Sequence, residues 1–275
     1  MTAFEVARRL VDEDAPQDEN VLAKKIEASI QTFGCLEQKV EPVRIACSDQ
    51  TPLLAYYVPV ADHDVRGPAV ICISREGETA STLLGRLLPA VISRGISVLV
   101  VSHEDVLSHW RGQSEILLSS CLDYLSVRPD VDHARIGLYG EGLSAALATD
   151  FAVSDRRVAA ASCDGGLWNW TRTVASLGWI TRTVDRLDET FLSSPRSRLI
   201  RQLRCPVLVL AGGRSIVSTT EAIKLQAECI AAHIDIEVAT PRIARTTAGE
   251  IENFVTSDDS VFAWLQHKLT LNSAS

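Results

Sequence analysis

The sequence is poor in the features that mark nucleic-acid-binding and membrane-spanning proteins. Its 275 residues carry 27 basic against 35 acidic side chains, and only 5% of them are aromatic. Phosphate binding needs a basic surface and base stacking needs aromatic side chains, so a nucleic-acid partner is not expected. No run of 18 apolar residues could span a bilayer, and the first ten residues lack the apolar stretch of a signal peptide. We therefore predict a cytoplasmic protein with no membrane partner.

Paired cysteines are also lacking. The seven cysteines are irregularly spaced and contain no C-x-x-C pair, which makes a zinc site or a disulfide framework improbable. Several lie inside apolar runs, where a thiol behaves as a small hydrophobic side chain. A cluster of His103, Glu104, Asp105 and His109 could supply metal ligands only from a loop, since neighbouring residues of a strand point to opposite faces. We predict neither a metal nor a cofactor.

What the sequence does have is an alternation of short apolar runs with helical segments. The runs that predict buried strands are Ala69–Ser74, Ser97–Ser102, Arg135–Tyr139, Val158–Cys163, Pro206–Ala211 and Asp235–Thr240. The predicted helices are Thr79–Arg94, Ser108–Val127, Leu143–Val153, Ser218–Ala232 and Ser257–Leu269. A hairpin of Val40–Cys47 and Leu53–Val60 precedes them. This rhythm indicates an α/β fold with a mostly parallel central sheet flanked by helices.

The alternation defines the predicted domains. Residues 1–38 have helical spacing and form an N-terminal segment, and residues 39–275 form the α/β core. The stretch of about 167–202 is longer than a crossover needs and holds three of the five tryptophans, which predicts a helical cap inserted into the core.

A strand running into small residues and then a helix, Arg135-Ile-Gly-Leu-Tyr-Gly-Glu-Gly-Leu-Ser-Ala-Ala, resembles the nucleophile elbow G-x-S-x-G of the α/β-hydrolase fold. The stretches Trp110–Ser114 and Cys205–Gly212 resemble the dienelactone-hydrolase and acetyl-xylan-esterase branch. The resemblance covers residue 40 to the C-terminus. It implies an α/β-hydrolase core.

The catalytic triad that this resemblance implies is degenerate. Aligning Gly140–Ser144 with G-x-S-x-G places Gly142 where the serine belongs. Ser215 stands where the family carries its aspartate, and the loop after the last strand contains no histidine. A shifted frame, G-x-S-x-A from Gly142, would instead make Ser144 the nucleophile.

Polar residues at the strand ends are the candidates for chemistry, because such sheets bind ligands beyond the carboxyl ends of their strands. The predicted catalytic residues are Glu141, His103, Ser144 and Cys163. The predicted substrate-binding residues are Arg75, Glu76, Gly142, Asp164, Trp168 and Ser215. Each also has a structural interpretation, such as a capping carboxylate for Asp164 or a buried thiol for Cys163.

Three functions fit these residues. The first is an enzyme acting on an acyl, ester or lactone-like small molecule through a site without Ser-His-Asp, as a lyase, cyclase, isomerase or atypical hydrolase. The second is an inactive pseudo-hydrolase that serves as a binding or partner subunit. The third is a conventional serine esterase with Ser144 as the nucleophile. A homodimer or a partner protein is possible in each case.

Overall fold

The computed structural model describes residues 40–47, 52–59, 66–107, 111–164, 202–210, 243–246, 249–252 and 254–271, and, in the region between, 223, 226–227, 229–231 and 233–239. The predicted N-terminal segment, residues 1–38, lies outside these residues. So do the predicted cap, apart from its last residue, and the candidates Trp168 and Ser215. Among the described helices, none combines the length and the apolar character needed to cross a bilayer.

The strands and helices alternate as the apolar runs predict. The strands are β1 Glu41–Ile45, β2 Leu53–Val58, β3 Gly67–Ile73, β4 Ser97–Val101, β5 Val131–Glu141, β6 Val158–Asp164, β7 Val207–Leu210, β8 Ile236–Ala239, β9 Ile243–Thr246 and β10 Gly249–Glu252. The helices are α1 Ala80–Val91, α2 His103–Leu107, α3 Arg111–Ser126, α4 Ser144–Ser154 and α5 Phe254–Leu271. A short 3₁₀ turn, Ile92–Arg94, follows α1.

Eight strands form one sheet in the order β1-β2-β4-β3-β5-β6-β7-β8. The predicted hairpin is confirmed, because β1 and β2 pair antiparallel, and β2 also pairs antiparallel with β4. The other neighbouring pairs are all parallel: β4-β3, β3-β5, β5-β6, β6-β7 and β7-β8. The order places β3 and β5 side by side at the centre, so the segments that follow these two strands meet at one edge of the sheet.

Helices cover both faces of the sheet, which is why the central strands are apolar on both sides. Along β3, Ile71 and Ile73 pack with the leucines of α3 and with Phe151 of α4. The alternate residues Val70 and Cys72 pack with the leucines of α1 and with α5. Each fully buried leucine contributes about 1.5–3 kcal/mol. These two layers fix the ends of β3, β5 and β6 in space.

His103, Glu104 and Asp105 directly follow the carboxyl end of β4 and begin the short helix α2. The Ser102 hydroxyl caps this turn by accepting from the Asp105 N–H at 3.1 Å. One local prediction was wrong. The loop predicted after the last strand contains the antiparallel pair β9 and β10.

Candidate functional site

The carboxyl ends of β3, β5 and β6 meet at one edge, as the strand-end argument predicts. Ile73 of β3 lies opposite Gly140 of β5. Further along, Glu141 of β5 lies opposite Asp164 of β6. The turn that leaves β5 therefore lies between the segment that follows β3 and Asp164, the last residue of β6.

That turn, Gly140–Ser144, is called the elbow below. Gly142 has φ +60°, and its N–H donates to the Asp164 carbonyl oxygen at 2.8 Å. A Cβ on Gly140 would lie 2.7 Å from the Ser144 carbonyl carbon and 2.9 Å from the Ala148 Cβ. Glycine is needed at position 140 because α4 passes too close, and at 142 because the backbone is left-handed.

Glu76 reaches over the elbow from the segment that follows β3. Its Oε2 accepts a hydrogen bond from the Leu143 N–H at 3.0 Å. A Cβ on Gly142 would lie only 2.5 Å from the same oxygen. Glu76 is exposed, so this carboxylate faces solvent while one of its oxygens is held against the elbow backbone.

A second carboxylate holds the Glu76 segment in place. The Glu104 Oε1, from α2, accepts a hydrogen bond from the Gly77 N–H at 2.7 Å. Gly77 has φ +71°, which makes a sharp turn beside Glu76. The Ser74 hydroxyl closes the same turn by donating to the Glu78 carbonyl oxygen at 2.6 Å.

Beneath the elbow, His103, Ser144 and Ser74 form a buried chain of hydrogen bonds. The Ser144 hydroxyl donates to the Ser74 carbonyl oxygen at 2.7 Å, and the His103 Nδ1 lies 2.7 Å from the same hydroxyl. A carbonyl oxygen can only accept, so a Ser144 proton directed to Ser74 requires the tautomer of His103 in which Nδ1 donates to Ser144. Burial lowers the pKa of His103, opposed by the charges of Glu104 and Glu76. The chain joins α2, α4 and the end of β3.

Glu141 points instead to a cluster around Arg86 of α1. The two Nη atoms of Arg86 bind different elements: Nη1 donates to both oxygens of Asp258 at 2.7 Å, and Nη2 donates to the Glu141 Oε2. The Arg86 Nε lies 3.6 Å from the Glu78 Oε1. We call Arg86, Glu78, Glu141 and Asp258 the Arg86 cluster. It joins the elbow to α1 and α5.

Burial dominates the electrostatics of the Arg86 cluster. It raises the pKa of Glu141 to about 7, although the guanidinium of Arg86 opposes the shift. Asp164, Glu78 and Asp258 add to the rise because each is a further negative charge. Burial also raises the pKa of Asp258, again opposed by Arg86.

Cys163 is fully buried in β6, and its sulfur lies 3.1 Å from the Thr149 hydroxyl. Burial raises the pKa of this thiol to about 12, which is the opposite of what a reactive cysteine needs. The Cys163 sulfur contacts Thr149, whereas the His103 Nδ1 contacts Ser144, so these two candidates have different hydrogen-bond partners.

Arg75 is partly exposed, with its Nε 3.8 Å from the Glu78 Oε2.

The chain is similar in structure to several hydrolases of low sequence identity. One is a 2,6-dihydroxy-pseudo-oxynicotine hydrolase, with 18% identity and a TM-score of 0.62 over 93% of this chain and 76% of that one. Another is an esterase of Pyrobaculum calidifontis, with 15% identity and a TM-score of 0.60 over 95% and 97%. This chain has the α/β-hydrolase fold. The assignment to the dienelactone-hydrolase branch stays a prediction.

Larger α/β-hydrolases contain the same unit. A puromycin-hydrolyzing peptidase of Mycobacterium tuberculosis has 16% identity and a TM-score of 0.67, and this chain, aligned over 86% of its residues, spans 40% of that protein's length. No protein-family model and no curated protein sequence matches the chain. Identities this low establish the fold and leave the activity to be argued from the site.

Sequence reasoning missed Arg86 and Asp258 as parts of the site. One signal was present, because Arg86 is the single charged residue of α1, between leucines that are buried. A lone charge on an apolar helix face predicts a buried partner. Nothing in the spacing shows that this partner lies 55 residues away, at the elbow.

Proposed function

We propose that this α/β-hydrolase-fold protein is an enzyme acting on an acyl, ester or lactone-like small molecule by acid–base chemistry, without a covalent acyl-enzyme. The observation that carries the proposal is the position of Glu76. Its carboxylate accepts the Leu143 N–H at 3.0 Å and lies 2.5 Å from where a side chain on Gly142 would begin.

The elbow of this fold supplies two groups in serine hydrolases. One is the nucleophile on the sharp strand-to-helix turn, and the other is the backbone N–H of the next residue, which stabilises the oxyanion. Here the residue with the turn's left-handed backbone is Gly142, which has no side chain, and the N–H of Leu143 is bound to Glu76. Both features favour a reaction in which no serine attacks the substrate.

Glu76 is the base in this proposal. It takes a proton either from the carbon beside a substrate carbonyl or from a water molecule that attacks the carbonyl. In the first case the C–H electron pair becomes a C=C bond to the carbonyl carbon, and the carbonyl π pair moves to the oxygen. Return of the proton to another carbon then makes an isomerase, and expulsion of a leaving group with its bonding pair makes a lyase or cyclase. In the second case the water oxygen bonds to the carbonyl carbon as the carbonyl π pair moves to the oxygen. When that pair returns, the bond to the alcohol oxygen breaks and the departing alkoxide takes the proton that Glu76 accepted, which completes hydrolysis. Solvent exposure of Glu76 supports both, because a substrate or a water can reach it.

A matched pair of variants tests the role of Glu76. Glu76→Gln keeps an oxygen acceptor for the Leu143 N–H but cannot accept a proton, and Glu104→Gln makes the same change at the neighbouring carboxylate that holds Gly77. The substrates are a panel of small esters, lactones and enolisable carbonyl compounds in D₂O, and the readouts are turnover and deuterium incorporation. Relative to wild type, we expect both rates to fall by about 100-fold or more in Glu76→Gln. Both should stay within a few-fold of wild type in Glu104→Gln. Equal activity of Glu76→Gln and wild type would refute the proposal.

The pseudo-hydrolase is the second candidate, favoured by the same Leu143 contact. If the Glu76 carboxylate never leaves the Leu143 N–H, no substrate carbonyl can use that donor. This reading predicts no turnover with any member of the panel, a partner that co-purifies stoichiometrically, and no loss of phenotype when Glu141 and His103 are both replaced.

The serine-esterase alternative has less support. Ser144 is fully buried, and its hydroxyl proton is committed to the Ser74 carbonyl oxygen. With the Ser144 proton on the Ser74 carbonyl oxygen, the 2.7 Å contact to His103 requires the tautomer in which Nδ1 donates, which is the reverse of what a general base does.

A further inference from the structure

We propose that the Arg86 cluster is a proton-holding site, in which Glu141 keeps one proton around neutral pH and can deliver it at the elbow. The delivery step rests on the proposed function, since it supplies the acid that complements Glu76 as the base. The presence of the proton does not, because it follows from the charges and contacts of the cluster itself.

The first argument is the count of charges. Three carboxyl groups, on Glu78, Glu141 and Asp258, share the guanidinium of Arg86. A second cation, Arg75, is partly exposed and lies 3.8 Å from Glu78. The side chains of these acids are 5%, 16% and 10% exposed, so water screens little of their repulsion. Buried charges without compensation are costly, and a carboxyl group avoids that cost by keeping its proton.

The second argument is how the donors of Arg86 are distributed. Asp258 receives two hydrogen bonds of 2.7 Å, both from Nη1, and such charge-assisted bonds stabilise an ionised carboxylate. Glu141 receives one, and Glu78 lies at 3.6 Å, beyond hydrogen-bond distance. The Glu78 Oε2 is buried without a hydrogen-bond partner. One guanidinium therefore cannot compensate all three acids.

The groups that face Glu141 from the surrounding elements favour protonation at that residue. Asp164 lies opposite it on β6, and Tyr139 of β5 has its hydroxyl 3.5 Å from the Glu141 Oε2. From the segment after β3 come Glu78 and Arg75, and Arg75 is partly exposed and 3.8 Å from Glu78. Arg86 on α1 is the cation in contact with Glu141, and Asp258 on α5 shares it. Burial is the largest contribution to the raised pKa of Glu141.

If Glu141 keeps its proton, the stability of the fold must change with pH in a defined direction. An acid whose pKa is higher in the folded protein than in the unfolded chain stabilises the fold below the unfolded value, near 4.3. That stabilisation is lost as the pH rises to the folded value of about 7. Glu141→Gln resembles the protonated side chain at every pH, so it lacks this dependence.

The test is a carboxyl ¹³C NMR titration of wild-type protein labelled at glutamate, with urea unfolding at pH 5 and pH 8. We expect one glutamate resonance to titrate near pH 7 and to be absent in Glu141→Gln. Relative to that variant, the folding equilibrium constant of wild type should fall on the order of 50-fold between pH 5 and 8. Asp259→Asn is the matched control: Asp259 neighbours Asp258 on α5 and pairs with Arg94 outside the cluster. It should leave the titration unchanged.

Two outcomes would overturn the proposal. In the first, every glutamate of the wild-type protein titrates below about pH 5.5, which needs no variant to fold. In the second, the neutral titration persists in Glu141→Gln and disappears in Glu78→Gln, which would place the proton on Glu78. Unchanged turnover in Glu76→Gln would refute the proposed function and leave the titration result untouched.

Discussion

Two glutamates, Glu76 and Glu141, lie beside Gly142 in contrasting environments. Glu76 lies in solvent and is held by a backbone N–H, whereas Glu141 is buried and is held by the guanidinium of Arg86. In acid–base enzymes, a pair of carboxyl groups in contrasting environments divides the roles of base and acid. In the function we propose, these two glutamates are the base and the acid of an elbow that acts without a nucleophile.

The opposite surroundings of Glu76 and Glu141 depend on the close packing of the elbow against α4. Gly140→Ala should therefore have the largest effect on stability. Its Cβ would lie 2.7 Å from the backbone carbon of Ser144, which cannot move without shifting α4. We expect the free energy of unfolding, measured with urea, to fall by about 3 kcal/mol or more. Gly137→Ala is the control on the same strand, with its nearest contacts at 3.3 Å. An equal loss in both variants would contradict this account.

Removing the cation that holds buried Glu141 should lower the free energy of unfolding by nearly as much. Arg86→Met leaves Glu141 and Asp258 buried without their cation, and we expect a loss of about 3 kcal/mol at pH 8. Arg94→Met is its counterpart, since Arg94 also joins the region of α1 to α5, through Asp259, but does not touch the elbow. Its partner is 60% exposed, so urea unfolding should show a loss of about 1 kcal/mol or less. Similar losses would mean that the cluster is an ordinary surface network.

The exposed side can be probed by a double-mutant cycle between Gly142→Ala and Glu76→Ala. Alone, Gly142→Ala should cost about 2 kcal/mol, because the left-handed backbone and the contact with Glu76 both oppose a methyl group. In the Glu76→Ala background we expect about 1 kcal/mol, the part due to the backbone. Urea unfolding of the four proteins gives the coupling, and additive losses would show that Glu76 does not cover Gly142.

Replacing His103 should have the smallest effect on stability. Its contribution to stability changes with pH in the opposite direction to that of Glu141. Burial lowers its pKa, so its contribution is present above the unfolded value, near 6.5, and is lost as the pH falls below it. We expect the stability difference between wild type and His103→Gln, measured by urea unfolding, to shrink as the pH is lowered from 7 to 5. A difference that grows at low pH would mean that the histidine is charged in the folded protein.

Much of the fold could be predicted from the sequence because burial leaves a local record. Apolar runs such as Ala69–Ser74 and the glycines at 140 and 142 record the strands and the sharp turn directly. The order of strands at the sheet centre then brings Glu76, Glu141 and Asp164 to one edge without further information. These predictions depend on short-range patterns and on the rules of parallel sheets.

The orientation of the site residues could not be predicted in the same way. Whether Glu141 faces solvent or α1 depends on Arg86 and Asp258, which are 55 and 117 positions distant along the chain. Ser144 was a candidate nucleophile by spacing, but its burial depends on how the segment after β3 packs on α4. Such long-range contacts leave no periodicity in the sequence, and only the folded arrangement of the elements decides them.

The central claim, that the elbow carries no covalent nucleophile, is tested most directly by the intact mass of the folded wild-type protein after treatment with a fluorophosphonate probe. An active serine hydrolase forms a stoichiometric adduct with such a probe. We predict an unchanged mass, equal to that of Ser144→Ala treated in the same way. A stoichiometric adduct that disappears in Ser144→Ala would contradict the account and establish a serine esterase.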